Sequence, residues 1–96
     1  MKRPCIYILT NKPYGTLYVG VTSHLLHRLY QHQNEYFDGF TKRYKLKNLI
    51  YFEMYDDIEH AIRREKSLKR WRREWKIQLI EQHNPYWQDL SFKLSM

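Results

Sequence analysis

Two short apolar runs separated by turn residues open the chain. Residues 5–10 and 17–22 are rich in Ile, Val, Leu and Tyr, and Asn11-Lys12-Pro13-Tyr14-Gly15-Thr16 lies between them, which is the pattern of a β-hairpin. Side chains alternate along a strand, so Ile6 and Ile8 share one face and Leu17, Val19 and Val21 share one on the second strand. Together they supply the core face. The other face receives Tyr7, Tyr18 and Gly20, two tyrosines beside a glycine that leaves room for close approach. Thr22 or Ser23 then caps a helix predicted over His24–His32. Its apolar stripe is Leu25, Leu26, Leu29 and Tyr30. Arg28 and His32 are four apart, so they stack on one helix face, along the edge of the stripe and near the tyrosines.

Gln33 to Lys47 has no clean period. Tyr36, Phe37, Phe40 and Tyr44 interleave there with Lys42, Arg43, Lys45 and Lys47. Aromatic faces can stack on bases and cations can meet phosphates. Phe37 and Phe40 are expected to fill gaps in the core, and Lys42 and Arg43 to contact phosphate. Asn48 to Tyr55 is short, apolar and aromatic, a third strand. Asp56-Asp57 ends it and suits the N-terminus of the next helix, Ile58 to about Trp71. On that helix Ile58, Ala61, Ile62 and Leu68 form one face, and Glu65 sits inside the same stripe. Glu is almost never buried unless paired. Two readings stay open: a buried ion pair, with Arg28 as candidate partner, or a metal-binding or catalytic carboxylate. A second helical segment, Arg73 to His83, presents Trp75, Leu79 and Ile80, with Trp71 and Trp75 read as core. Asn84-Pro85 stops it, Tyr86 to Leu90 packs back as a turn or short helix, and Ser91 to Met96 is expected to fray.

Composition narrows the function. Ninety-six residues make one small domain that buries roughly 60–65% of its unfolded surface. Binding and any chemistry must share that unit. The net charge of +7 and pI of about 9.6 point to a polyanionic partner, above all nucleic acid. From Arg63 to Lys76 the chain carries eight Lys or Arg against two Glu, a phosphate-tracking surface beside Glu65. The single cysteine, Cys5, allows no internal disulfide and fits a reducing, cytoplasmic setting. The apolar run after Met1-Lys2-Arg3 breaks at Thr10-Asn11-Lys12-Pro13, too soon for a signal peptide, and no window is apolar enough for a membrane span. There is no Gly-rich phosphate loop, no paired cysteines for zinc, and no Ser or Cys in a nucleophile context. His24 and His27 are read as surface residues.

What remains is Tyr7, Tyr18, Arg28, His32 and Glu65. In this order and spacing the chain resembles the GIY-YIG nucleases. The naming motifs stand as Cys5-Ile6-Tyr7 and Tyr18-Val19-Gly20, Thr22 to His32 is similar to the family's first helix, and Arg64-Glu65-Lys66 is similar to the segment holding its metal-binding Glu. The resemblance runs from about Pro4 to Leu90. It is closest to small stand-alone bacterial members, and extends to the catalytic N-terminal domain of the family's excision-repair endonuclease. Cys5 replaces the Gly of the first motif and Val19 the Ile of the second, both structural positions.

The resemblance implies an α/β (α+β) fold with a small central three-stranded antiparallel sheet flanked by helices. It implies an endonuclease that hydrolyses DNA phosphodiesters with one divalent ion, Mg²⁺ or Mn²⁺, held by Glu65. Structure-selective or weakly sequence-specific cutting in repair or recombination is the expected setting, and RNA stays open as a substrate. Arg28 would stabilise charge on the phosphoryl oxygens. Tyr7 would act as general base and Tyr18 position the water, with the division between the two left open. A base role for a phenol needs cations nearby to lower its pKa. His32 would hold Tyr18 or the phosphate, or share the base role, and Asn84 matches an active-site Asn of some members. Lys42, Arg43, Arg63, Arg64, Lys66 and Lys69 are the expected nucleic-acid contacts. Two alternatives carry different consequences: a nucleic-acid-binding module of this fold with weak catalysis, and a protein-interaction domain whose basic helix docks an acidic partner.

Overall fold

The computed structural model describes residues 3–35 and 39–94. Strands β1 (Cys5–Thr10) and β2 (Leu17–Thr22) form the predicted hairpin, and β3 (Asn48–Met54) joins the other side of β1. The sheet is antiparallel, in the order β2-β1-β3. Every residue of the central strand β1 is buried, which explains why it reads as a continuous apolar run rather than an alternation. Helices α1 (Leu25–Gln33), α2 (Phe40–Arg43), α3 (Ile58–Arg70) and α4 (Arg73–His83) follow in chain order, and a 3-10 helix spans Leu90–Leu94. This is the expected α+β architecture.

The pleat sorts the hairpin as its alternation predicts. Ile6, Ile8 and Val19 pack with Ala61 and Leu68 of α3 and Ile80 of α4. Cys5, Tyr7 and Leu9 pack on the opposite face with Leu25 and Leu29 of α1 and with Leu90. The register between β1 and β3 slips by one residue between Ile8 and Leu9, since Ile8 faces Tyr51 and Leu9 faces Leu49. Ile50 is therefore the extra residue of a bulge. Asp57 caps α3, its Oδ1 accepting the His60 amide at 2.9 Å, and α4 ends at Asn84 before Pro85.

Four expectations are corrected. The buried positions of α1 are Leu25, Leu29 and His32, while Leu26 and Tyr30 are exposed. Inward residues at i, i+4 and i+7 leave no room for the whole predicted stripe, and His32 has a polar partner waiting on the sheet. Phe40 fills no core gap: it is exposed on α2, an element the sequence pattern did not predict. Trp71 packs against the core, but Trp75 stands out from it, edge-on to Trp71 and beneath the Arg72 guanidinium. The C-terminal residues 91–94 do not fray, because the 3-10 helix lays Leu90 and Leu94 against the Tyr7 face. Tyr36, Phe37, Ser95 and Met96 lie outside the described residues. Among the described residues no helix is long and apolar enough to cross a membrane.

Candidate active site

Tyr7 is the centre of a buried polar cluster. It faces Gly20 across the β1–β2 ladder, and its ring occupies the space a side chain at that position would need. A Cβ on Gly20 would fall 2.5 Å from the Tyr7 Oη. Gly20 is thus the floor on which the phenol lies. The Tyr7 hydroxyl reaches His32 Nε2 at 3.1 Å, and His32 Nδ1 reaches Thr41 Oγ1 at 3.3 Å. The Tyr18 ring closes the group, with its centroid 6.3 Å from that of Tyr7 and 5.8 Å from that of His32.

The electrostatics follow from burial and one cation. Burial pushes the Tyr7 phenol well above the ordinary tyrosine range, and proximity to Tyr18 adds to it; the Arg28 guanidinium opposes both by charge and by a hydrogen bond, without overcoming them. Burial also pulls His32 down to about 4, with the Arg28 charge acting in the same direction. At neutral pH the pair is a phenol and a neutral imidazole. An imidazole has one donor and one acceptor nitrogen. Whichever tautomer it adopts, Thr41 can match it, since a hydroxyl both donates and accepts. The expectation that nearby cations bring the Tyr7 pKa down is therefore not met in the free protein. His32 reaches Tyr7 by hydrogen bond and Tyr18 only by ring contact.

Glu65 comes from the other layer. It lies on the sheet-facing stripe of α3 between Ala61 and Leu68, with its side chain 13% exposed. Its ion-pair partner is Lys69, one turn on, at 2.9 Å, rather than Arg28. Such i,i+4 pairs contribute only about 0.3–0.5 kcal/mol, so a stronger cation can replace the lysine. Helix α3 packs on β1 and β2, and β2 is one of the two edge strands of the sheet. Helix α3, which carries Glu65, packs through Ala61 and Leu68 on one face of the sheet, and Tyr7 and Tyr18 belong to the other. Among the described residues no three His, Cys, Asp or Glu side chains stand together as a metal cage. A single carboxylate suits a hard ion such as Mg²⁺, which is bound through one or two carboxylates and keeps several waters, and not a tetrahedral nitrogen and sulfur site.

The basic candidates divide. Lys42 and Arg43 on α2, and Arg63, Lys66 and Lys69 on α3, are exposed. Arg64 is not part of that set. Its guanidinium makes a two-pronged bond to Glu53 at 3.0 Å on each arm and lies 5.1 Å over the Trp71 ring. Burial alone would raise the Glu53 carboxyl, but hydrogen bonds from Arg64, Tyr51 and Tyr55 outweigh it and hold it low. Tyr51, Glu53 and Tyr55 alternate along β3, a period-two signal for this bracket that the sequence does contain.

Asn84 is likewise structural. Its Nδ2 donates to the carbonyls of Ile50 at 3.0 Å and Gln88 at 2.8 Å, and its Oδ1 accepts the Gln88 amide at 3.0 Å. The Ile50 carbonyl belongs to the bulge residue of β3, so Asn84 satisfies a backbone group that the ladder displaces. It stands at the C-cap of α4. The residue that sequence reasoning missed is Thr41. It is buried on a four-residue helix within an aperiodic stretch, and no pattern marks it.

Next to the cluster, three aromatic rings run outward. The Phe40 centroid lies 6.4 Å from that of Tyr18 at an interplanar angle of 30°, and the Tyr44 centroid lies 4.8 Å from that of Phe40. The Arg43 guanidinium stands 5.7 Å from the Tyr44 centroid.

Comparison with known proteins agrees with this arrangement. A family model described as the GIY-YIG catalytic domain matches residues 3–78, from β1 through most of α4. A UPF0213 protein of Staphylococcus saprophyticus is 33% identical over 82 residues, covering 85% of this chain and 99% of that protein. A UPF0213 protein of Syntrophus aciditrophicus is 33% identical over 84 residues, covering 86% and 95% respectively. No solved structure matches. With the two motifs on adjacent strands, the first helix behind them and most of its length covered by the family model, the chain belongs to the GIY-YIG family and carries its nuclease-type catalytic domain.

Proposed function

We propose that this protein hydrolyses phosphodiester bonds of nucleic acid, DNA in the first instance, with one divalent cation, Mg²⁺ or Mn²⁺. The observation that carries the reading is the Tyr7–His32–Arg28 cluster packed on Gly20, because it combines a proton path with a fixed cation at one end of a basic surface. Arg28 would take the non-bridging oxygens of the scissile phosphate, a role suited to its rigid donor fork. Tyr18 would position the attacking water against Tyr7.

Tyr7 is protonated at neutral pH, so it can accept a proton from water only while giving up its own. The neutral His32 Nε2 is the acceptor within reach. As the water oxygen bonds to phosphorus, its proton passes to Tyr7 Oη and the phenolic proton passes to His32. The bond from phosphorus to the leaving oxygen then breaks, and solvent protonates that oxygen. A phosphate bound to Arg28 offsets the charge that depresses His32, so substrate binding itself makes the imidazole a better acceptor. Glu65 would hold the cation together with phosphate oxygens and water. When bound, that cation supplies charge compensation at the leaving oxygen.

The test is cleavage of end-labelled single-stranded, duplex, flap and junction DNAs, with matched RNA strands, in Mg²⁺, Mn²⁺ or EDTA, beside Glu65→Gln and Tyr7→Phe. Metal-dependent cutting that both variants lose supports the proposal. Folded wild-type protein that binds the panel and cuts nothing overturns it and leaves a binding module.

A further inference from the structure

The rings of Phe40 and Tyr44 pack on one another and on Tyr18, yet both stay largely open to water. They are 49% and 41% exposed, and they stand on a four-residue helix that contributes Thr41, not an aromatic, to the interior. Exposing two large neighbouring rings forgoes burial that the adjacent core could have provided. The helix is nonetheless held in place. Glu35 and Lys47 pair at 2.8 Å across its two flanks, with Lys45 joining at 3.4 Å. The amide of Leu46, itself buried, donates to the Thr41 carbonyl at 2.9 Å. Two exposed rings, adjoining Tyr18 of the cluster and accompanied by the exposed Lys42 and Arg43, have the composition of a stacking platform for bases, with cations for the backbone.

We propose that Phe40 and Tyr44 form a shelf on which unpaired bases next to the scissile phosphate stack, so that single-stranded nucleic acid is the preferred substrate class. This inference rests on the reading of the protein as a nuclease, and it deepens that reading by naming the form of the polymer. The spacing decides how a base is held. A base inserted between two rings needs about 6.8 Å between their planes, twice the ~3.4 Å stacking rise. Tyr18 and Phe40 are 6.4 Å apart between centroids and tilted by 30°, and Phe40 and Tyr44 are closer still. No slot is open, and bases lie on the outward faces. A duplex cannot present its base faces in this way without unpairing, which costs a few kcal/mol. Phosphate contacts alone would not distinguish the two forms.

The test separates stacking from both catalysis and folding. Affinity is measured in EDTA for a single strand carrying 2-aminopurine and for its duplex, using wild type, Phe40→Leu, Tyr44→Leu and the double variant. Phe40→Trp and Tyr44→Phe serve as rescues, and thermal melts confirm folding. Single-strand affinity is expected to fall about tenfold or more in the double variant, consistent with the stacking contribution of one or two bases. The 2-aminopurine quench should disappear, the rescues should restore both, and duplex affinity should change less than twofold. DNA and RNA single strands are run side by side, since either offers the same base faces. Equal losses on strand and duplex, or an unchanged quench, overturn the shelf. Because binding is read without metal, failure of cleavage on the panel of DNAs and RNAs leaves this result independent.

Discussion

Replacing Gly20 by Ala tests the packing on which the site depends. The new Cβ would stand 2.5 Å from the Tyr7 Oη and 2.9 Å from one of its ring carbons, where ordinary contact begins near 3.4 Å. The Gly20 backbone is not in the left-handed region, so Ala is disfavoured only by lack of space. The phenol must move by about 1 Å or β2 must bow away from β1. If the phenol moves, its 3.1 Å bond to His32 lengthens beyond hydrogen-bonding range. If β2 bows, Tyr18 moves with it. A displacement of about 1 Å in a reacting group costs on the order of 10²-fold in rate. Overpacking of this kind costs about 1–3 kcal/mol of stability, or roughly 5–20 °C in Tm for a domain this small. Single-turnover cleavage and thermal melts read the two effects, and Tyr7→Ala supplies the control. With the ring gone, Gly20→Ala should cost almost no stability, a strongly coupled pair by double-mutant cycle. A Gly20→Ala protein with wild-type rate and Tm, or the same loss of Tm with and without the Tyr7 ring, would refute the packing argument.

Other predictions address separate parts of the molecule. Asn84→Ala should lower stability by about 1–3 kcal/mol, because it leaves the buried Ile50 carbonyl without its partner; cleavage measured well below Tm should stay within about twofold of wild type, and a tenfold loss there would return Asn84 to the chemistry. Thr41→Val removes the Nδ1 partner of His32 with little change of shape, so the rate should fall several-fold while substrate affinity holds, and a displaced pH profile would distinguish repositioned imidazole from general damage. His32 is held at about 4, below its unfolded value near 6.5. Its contribution is thus fully present above pH 6.5 and is lost as pH falls from 6.5 towards 4. Urea melts across that window should show stability declining towards acid, with a shallower slope in His32→Asn. A phosphodiester bound at Arg28 should move the His32 midpoint upward in an NMR titration, and an unmoved midpoint would refute the charge coupling.

The hairpin, its two faces and the helix boundaries were legible because each rests on a short-range signal. Period two separates Ile6 and Ile8 from Tyr7, and Asn84-Pro85 can only end a helix. The errors arose where a long-range partner decided the outcome. The apolarity of Leu26 and Tyr30 pulls α1 one way, and the Tyr7 hydroxyl waiting for His32 pulls it another; the polar pairing prevails, and no count along the helix contains that information. Arg64 reads as one more cation in a basic run until β3 brings Glu53 opposite it. Asn84 is a candidate because it matches an active-site Asn of some family members, and the resemblance gives no sign of its bonds to the backbone of Ile50 and Gln88. The bulge that requires it is a mismatch between β1 and β3, visible only when the strands are paired. Thr41 and the exposure of Phe40 come from a four-residue helix, too short to imprint a period.

The two faces of the sheet carry different kinds of polar group, and the division has a mechanical consequence. On the α3 and α4 face the polar groups are tied to fixed partners: Glu53 with Arg64, Tyr51 and Tyr55; the buried Asn84 with three backbone groups; Glu81 with Tyr14 and Trp87. These brackets tie β3 to α3 and the hairpin turn to α4, so they fix the position of α3 and thereby of Glu65. On the α1 face the cluster ends in groups whose proton positions can change, a hydroxyl, an imidazole and a second hydroxyl, backed by one guanidinium. Rigidity thus lies on one side of the sheet and exchangeable protons on the other, and β2 is an edge strand between them. An edge strand exposes unpaired backbone that favours association with other strands. Under the proposed function a phosphate would bridge Arg28 of α1 and a cation held by Glu65 of α3. On that proposal the substrate backbone would cover the edge, where groups from both layers could reach one phosphate without passing through the sheet.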